Sequence, residues 1–209
     1  FIIDEAHIVT TWGKQFRPDY WFLGDHIKKM RKIQQSESNI SFPIATFTAT
    51  AIYQGVENMY DETKESCILF KNVMFSIIEK AILNGYTYFI SGMALGIDMI
   101  CAEIVLKLKK KYKNIILECA IPCLKQEKQW PLSEQERYRK ILHKADIVHY
   151  VSKEEYSNSC MNERNKYMVE QSDVVIAVWN GKPSGTGNTV KMAKLSGKKI
   201  RVVNPYNPA

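Results

Sequence analysis

Two adjacent carboxylates, Asp4 and Glu5, close the apolar run Phe1-Ile2-Ile3 that opens the chain. A strand ending this way suits phosphoryl transfer, since one carboxylate can hold Mg²⁺ while its neighbour polarises the attacking water. A different chemistry is carried by two glycine-rich stretches, Ser91 to Asp98 (S-G-M-A-L-G-I-D) and Gly181 to Thr189 (G-K-P-S-G-T-G-N-T). Their glycines let backbone approach a ligand closely, the Ser91 hydroxyl can donate, and a helix starting just beyond offers its first amides to a phosphate.

The elements around these stretches alternate. Leu69, Val73, Ile77, Ile78, Ala81 and Ile82 recur at helical spacing before Gly85, and Tyr86 to Ile90 reads as a strand. Ile97, Ile100, Cys101, Ile104, Val105 and Leu108 mark a helix covering a core. Strands are expected at 115–121, 147–151, 174–179 and 200–203. Helices are expected from Ser133, with Glu136 completing a capping box, to His143; over 161–171; and from about Asn188 to Ser196. Strands apolar throughout, alternating with helices, give a doubly wound α/β domain with a mainly parallel sheet. Ligands bind such sheets beyond the strands' carboxyl ends. Four segments arrive there: Ser91 to Asp98, Pro122 to Trp130, Tyr156 to Asn165 with Arg164 and Asn165 in an early helical turn, and Gly181 to Thr189.

The chain has 209 residues, 45% hydrophobic and 24% charged, which suits one domain of about 150 residues and an appendage. No apolar run approaches the roughly 20 residues of a membrane helix, so no membrane partner is expected. Cys67, Cys101, Cys119, Cys123 and Cys160 are odd in number and form no C-x-x-C pair, which argues against zinc and a disulfide framework and for a cytoplasmic location. The net charge of +7 admits DNA as a partner. Lys107, Lys109, Lys110, Lys111 and Lys113 crowd one predicted helix end, where cations also complement the helix dipole.

With Trp12-Gly13-Lys14-Gln15-Phe16-Arg17-Pro18-Asp19-Tyr20 and Ala45-Thr46-Phe47-Thr48-Ala49-Thr50-Ala51 following it, the D-E-A-H opening resembles the first motor lobe of RecQ-type helicases. The resemblance implies a segment over 1–66 in which Asp4 and Glu5 are vestigial ATPase residues, with Asp4 holding Mg²⁺ beside ATP only in an intact motor. A phosphate-cradling loop and a second lobe are missing from the sequence, so helicase activity from this chain alone is not expected.

The remainder, 67–209, resembles the YpsA branch of the Rossmann-like SLOG superfamily, which includes DprA and the LOG phosphoribohydrolases. The likeness is carried by Phe89 through Asp98, Ala102-Glu103, Ile121-Pro122, Gln126 with Trp130, Tyr138, Ala145-Asp146, Tyr150-Val151-Ser152, Met161 with Arg164-Asn165, Tyr167-Met168-Val169, Ser172-Asp173 and Gly185-Thr186. It implies binding or sensing of a nucleotide-derived ligand such as NAD or ADP-ribose. The residues implied are Ser91, Gly92, Gly96, Asp98, Gln126, Trp130, Arg164, Asn165, Gly185, Thr186, Gly187 and Thr189. LOG enzymes carry a catalytic Glu in a P-G-G-x-G-T-x-x-E loop; here Lys191 or Thr189 stands at that position, so binding without turnover is expected. DprA-like binding of single-stranded DNA and pairing with a second copy remain open. Helicase-like sequence stands where the family's own first strand belongs, so an edge of the sheet or part of the pocket is expected to be absent or replaced.

Overall fold

The structure, a computed structural model, describes residues 44–49, 62 and 65–205. Asp4, Glu5 and the Trp12–Tyr20 stretch lie outside the described residues. The chain divides into two compact units, Phe1–Phe42 and Pro43–Ala209, and every element named below belongs to the second.

Six parallel strands form one sheet in the order β4-β3-β2-β1-β5-β6. They are β1 (Ile44–Ala49), β2 (Tyr88–Ser91), β3 (Ile116–Ile121), β4 (Ile147–Tyr150), β5 (Val174–Val178) and β6 (Lys199–Val203). Among the described residues, five helices accompany them: α1 (Glu65–Leu83), α2 (Ile97–Leu108), α3 (Leu132–Lys144), α4 (Cys160–Gln171) and α5 (Gly185–Leu195). The expected doubly wound parallel fold is thus present. Helices α1, α2 and α3 cover one face, with Phe47, Phe89, Leu117 and Ile176 in the core beneath them. Val169 of α4 and Val190 and Ala193 of α5 close the other face over Val175 and Ala177.

The expected gap at a sheet edge is not what the structure shows: Ile44–Ala49, within the T-A-T-like stretch, supplies a strand. It sits centrally, pairing Thr46 with Ile90 on one side and with Val175 on the other. Phe47 is 1% exposed and its ring stacks on Phe89 at 5.9 Å between centroids, 6° from parallel. The sequence reading had assigned these residues to the 1–66 segment; here they are the middle of the sheet.

Three local readings are corrected. Helix α1 buries Cys67, Phe70, Met74, Ile78 and Ile82, a face turned from the one expected, and leaves Leu69 exposed. Both stripes have helical spacing, and the large apolar partners on β1 and β2 select the one carrying Phe70 and Met74. The capping box at Ser133 does not form: α3 starts at Leu132 after Pro131, with no side-chain cap. Proline fixes φ near the helical value and starts the helix without a cap from Ser133. Helix α5 begins at Gly185 rather than Asn188, because Ser184 caps it by accepting from the Gly187 N–H at 3.1 Å.

Candidate functional site

The order in which strands are added to the sheet reverses between β1 and β5. From β1 the sheet builds through β2 and β3 to β4, whereas β5 leads on to β6. Beyond the carboxyl ends at such a point the connecting loops diverge and leave a crevice. The 92–96 loop after β2 and the 179–184 loop after β5 border it, with β1 between their strands.

The first loop is held from inside. Ser91, fully buried, donates its hydroxyl to the Asp98 carbonyl at 2.9 Å and accepts from the Met93 N–H at 3.3 Å. Asp98, also buried, accepts from the Ala94 N–H through Oδ2 at 3.2 Å. Two residues take positive φ, Met93 at 53° and Gly96 at 97°. For a buried methionine this is an unfavourable conformation that the surrounding hydrogen bonds enforce. No side chain caps α2 after Gly96, so the first turn of this helix presents its amides and positive dipole end on the crevice side.

Arg164 of α4 reaches under this loop. Its Nη1 donates to the Gly92 carbonyl and lies 3.9 Å from Asp98 Oδ2, while Nε donates to Asn165 Oδ1 at 2.8 Å. Burial pushes the guanidinium pKa down and the neighbouring Asp98 opposes the shift. Gly92 is what makes room: a Cβ there would lie 2.8 Å from Arg164 Cζ and 2.9 Å from Asp98 Oδ2. Gln126 ties the loop after β3 to the same structure, donating to the Met93 carbonyl at 2.9 Å and the Tyr138 hydroxyl at 3.1 Å. Trp130 packs edge-on against Tyr138 at 5.4 Å. Cys123, at the end of β3, has its thiol pushed up to about 11 by burial and by the adjacent Cys160 thiol.

The second loop is separately braced. Trp179 Nε1 donates to the Lys182 carbonyl at 2.7 Å, and a Cβ at Gly187 would meet the Trp179 ring at 3.3 Å. Thr186 and Thr189 are buried, with Thr189 Oγ1 donating to the Gly185 carbonyl at 3.0 Å. Gly185 differs, since a Cβ there would meet nothing within 4 Å. The open side of α5's amino end therefore lies at Gly185.

The family model YpsA, described as the YspA SLOG family, matches residues 53–206. The chain belongs to this YpsA SLOG family. The SPbeta prophage-derived protein YoqJ of Bacillus subtilis is 35% identical over 136 residues, covering 59% of this chain and 80% of that protein. A UPF0398 protein of Brevibacillus brevis is 32% identical over 139 residues, covering 62% and 72%. Among solved structures, DNA processing protein A from Helicobacter pylori, described for its single-stranded DNA binding mode, superposes with TM-score 0.55 at 19% identity over 78% of this chain and 66% of that one. DprA from Streptococcus pneumoniae does so with TM-score 0.55 at 16% identity, over 78% and 50%. These likenesses show a shared Rossmann-like fold.

Within the YpsA domain, the expected site residues fall into two groups. Ser91, Gly92, Asp98, Gln126, Trp130, Arg164 and Asn165 are joined directly or through Met93 and Tyr138 around the first loop. Gly96 opens α2 beside them. Gly185, Thr186, Gly187 and Thr189 form the second loop and the start of α5. In the first group Ser91 and Arg164 spend their donors on the loop itself, so they shape the crevice from beneath. The helicase resemblance falls outside the matched range, and β1 precedes that range too.

Sequence reasoning missed a second polar cluster. The buried Glu118 carboxylate of β3 accepts from Tyr88 and Tyr167 hydroxyls at 2.6 Å each and lies 3.3 Å from His149 Nδ1. A charged residue inside the otherwise apolar β3 was the available signal, because buried carboxylates require partners. Among the described residues no cluster of His, Cys, Asp and Glu could hold a metal ion, and no helix is long and apolar enough to cross a membrane.

Proposed function

We propose that this YpsA domain binds a compact phosphorylated ligand of the nucleotide-derivative class, without turning it over, in the crevice between the 92–96 and 179–184 loops. The observation that carries this reading is the pre-organised first loop. Buried Ser91, Asp98 and Arg164 hold its backbone in a fixed shape and leave the uncapped start of α2 facing the crevice. Backbone amides fixed in advance bind an anion without an ordering cost at the moment of association. The start of α5 supplies a second such end, with Gly185 open beside it.

Single-stranded DNA is the second candidate occupant, because the Helicobacter structure that shares the fold is described for binding it. Arg164, which reaches the first loop, is 6% exposed and committed to Gly92, which favours the compact anion recognised by amides. A role for the 1–66 segment in an ATP-dependent RecQ-like motor rests on its sequence motifs alone.

The test is calorimetric titration of the full chain with ADP-ribose, NAD and ATP, beside a single-stranded oligonucleotide, for the natural protein and Gly185→Asp. Binding of one of the small anions, lost in Gly185→Asp, supports the reading. Binding that is indifferent to this substitution refutes the crevice as the site, and binding of the oligonucleotide alone, lost in Gly185→Asp, transfers the crevice to the second reading.

A further inference from the structure

Helix α2 carries its carboxyl end away from the crevice, so Lys107 lies about 15 Å along the axis from Ile97 at 1.5 Å per residue. There α2, the turn after it and α3 line an open groove of about 950 Å³. Its charge is sorted. The three carboxylates that line it, Glu62, Glu103 and Glu134, all pair with Arg137. Lys109 pairs with Asp146. Lys107, Lys110, Lys113, Lys140 and Lys144 also line the groove, are solvent-exposed, and have no carboxylate partner among the described residues. Lys107 instead lies over the Phe75 ring at 5.4 Å.

Complementing helix dipoles accounts for a cation in each last turn. It does not account for five from three separate stretches facing one concavity, where an acidic occupant would relieve their mutual repulsion. Protein partners are recognised through aromatic and arginine anchors, and lysine is depleted at such interfaces. Among the described residues this lining contains no aromatic side chain, and its arginine is already neutralised. Lysines on flexible stems are instead point-charge partners for phosphates.

We propose that this groove seats the sugar–phosphate backbone of nucleic acid, at a surface distinct from the crevice. With no aromatic platform, bases are not stacked, so duplex and single strand are both accepted.

The experiment is fluorescence anisotropy of the full chain with a labelled 20-base-pair duplex and a matching single strand. Five phosphate contacts give a log–log salt slope near −4.5, about a 500-fold loss in affinity between 50 and 200 mM salt. Replacing Lys110, Lys113, Lys140 and Lys144 by Gln leaves one contact and a loss of about fourfold over that range. All four side chains are exposed, so thermal melting stays unchanged and a folding defect is separable. Replacing Lys80, Lys166, Lys194 and Lys199, which are exposed and lie outside both the groove and the crevice loops, by Gln removes equal charge elsewhere and leaves duplex binding within threefold. Equal loss in both quadruple variants, a single-strand preference above tenfold, or displacement of the duplex by poly-glutamate at matched charge overturns the proposal.

Discussion

Substitutions at Gly92 and Gly185, the glycines of two similar loops, are expected to have opposite outcomes, because one fills an occupied space and the other an empty one. At Gly92 the new Cβ meets Arg164 Cζ at 2.8 Å and Asp98 Oδ2 at 2.9 Å, well inside van der Waals contact. The guanidinium is nearly fully buried and held by the Gly92 carbonyl and Asn165, so it cannot swing into solvent without leaving those partners. Overpacking of this kind costs about 1–3 kcal/mol, and losing a hydrogen bond from a buried charged donor about 1.5–3 kcal/mol. Gly92→Ala should therefore destabilise by about 3–5 kcal/mol, and Gly92→Asp by at least as much. At Gly185 nothing lies within 4 Å and the residue begins α5. Gly185→Ala should stabilise by about 0.4–1 kcal/mol, and Gly185→Asp by about 0.3–1 kcal/mol through the helix dipole. Urea denaturation reads the difference directly. If both alanine variants shift the midpoint equally, or Gly92→Ala costs under 1 kcal/mol, the packing account of the first loop is wrong. For binding, Gly185→Asp is consequently the informative variant: it should weaken a phosphorylated ligand at least tenfold, about 1.4 kcal/mol, in a protein that still folds.

Phe47→Ala should cost about 3–5 kcal/mol, given the ring's burial against Phe89; a loss below 1 kcal/mol in urea unfolding would mean that β1 is dispensable. Glu118→Leu, which leaves Tyr88 and Tyr167 hydroxyls without their acceptor, should lower stability by about 2–4 kcal/mol, and the Tyr88→Phe/Glu118→Leu pair should be sub-additive in a double-mutant cycle. Burial raises the thiol pKa of Cys101 and Cys119 and the phenol pKa of Tyr88, each with a negative neighbour adding to it. These groups therefore contribute stability that is complete below their unfolded values, about 8.5 for thiol and 10 for phenol, and lost as pH rises above them. Melting temperature should hold to about pH 8, then fall, and fall faster past about pH 10; a flat profile to pH 10.5 contradicts the burial assigned to the thiols.

The order of strands and helices was legible because β2, β3 and β5 are predominantly apolar and α2 repeats its apolar residues on one face. Periodicity was less decisive for α1. Leu69 and Phe70 offer competing stripes, and only the neighbours across the sheet choose between them. The glycine-rich loops were legible as loops, but what fills the space beside Gly92 was not. The contact with Arg164 spans 72 residues, and nothing in the local pattern separates a glycine that admits a ligand from one that admits the protein's own guanidinium. The T-A-T-like stretch is the sharpest case, since its resemblance pointed to a motor lobe while Ala45, Thr46 and Phe47, all buried, suit the central strand they form.

That strand has a practical consequence for anyone trimming the gene. A polypeptide begun at residue 53, where the family match starts, would keep every loop of the crevice yet lack the ribbon that joins β2 to β5. Its sheet would be split into two halves, each showing a raw hydrogen-bonding margin to its neighbours, and such margins recruit other chains. Inclusion bodies from the shortened product, beside a soluble one begun upstream of Pro43, would trace to six residues that alignment alone leaves out.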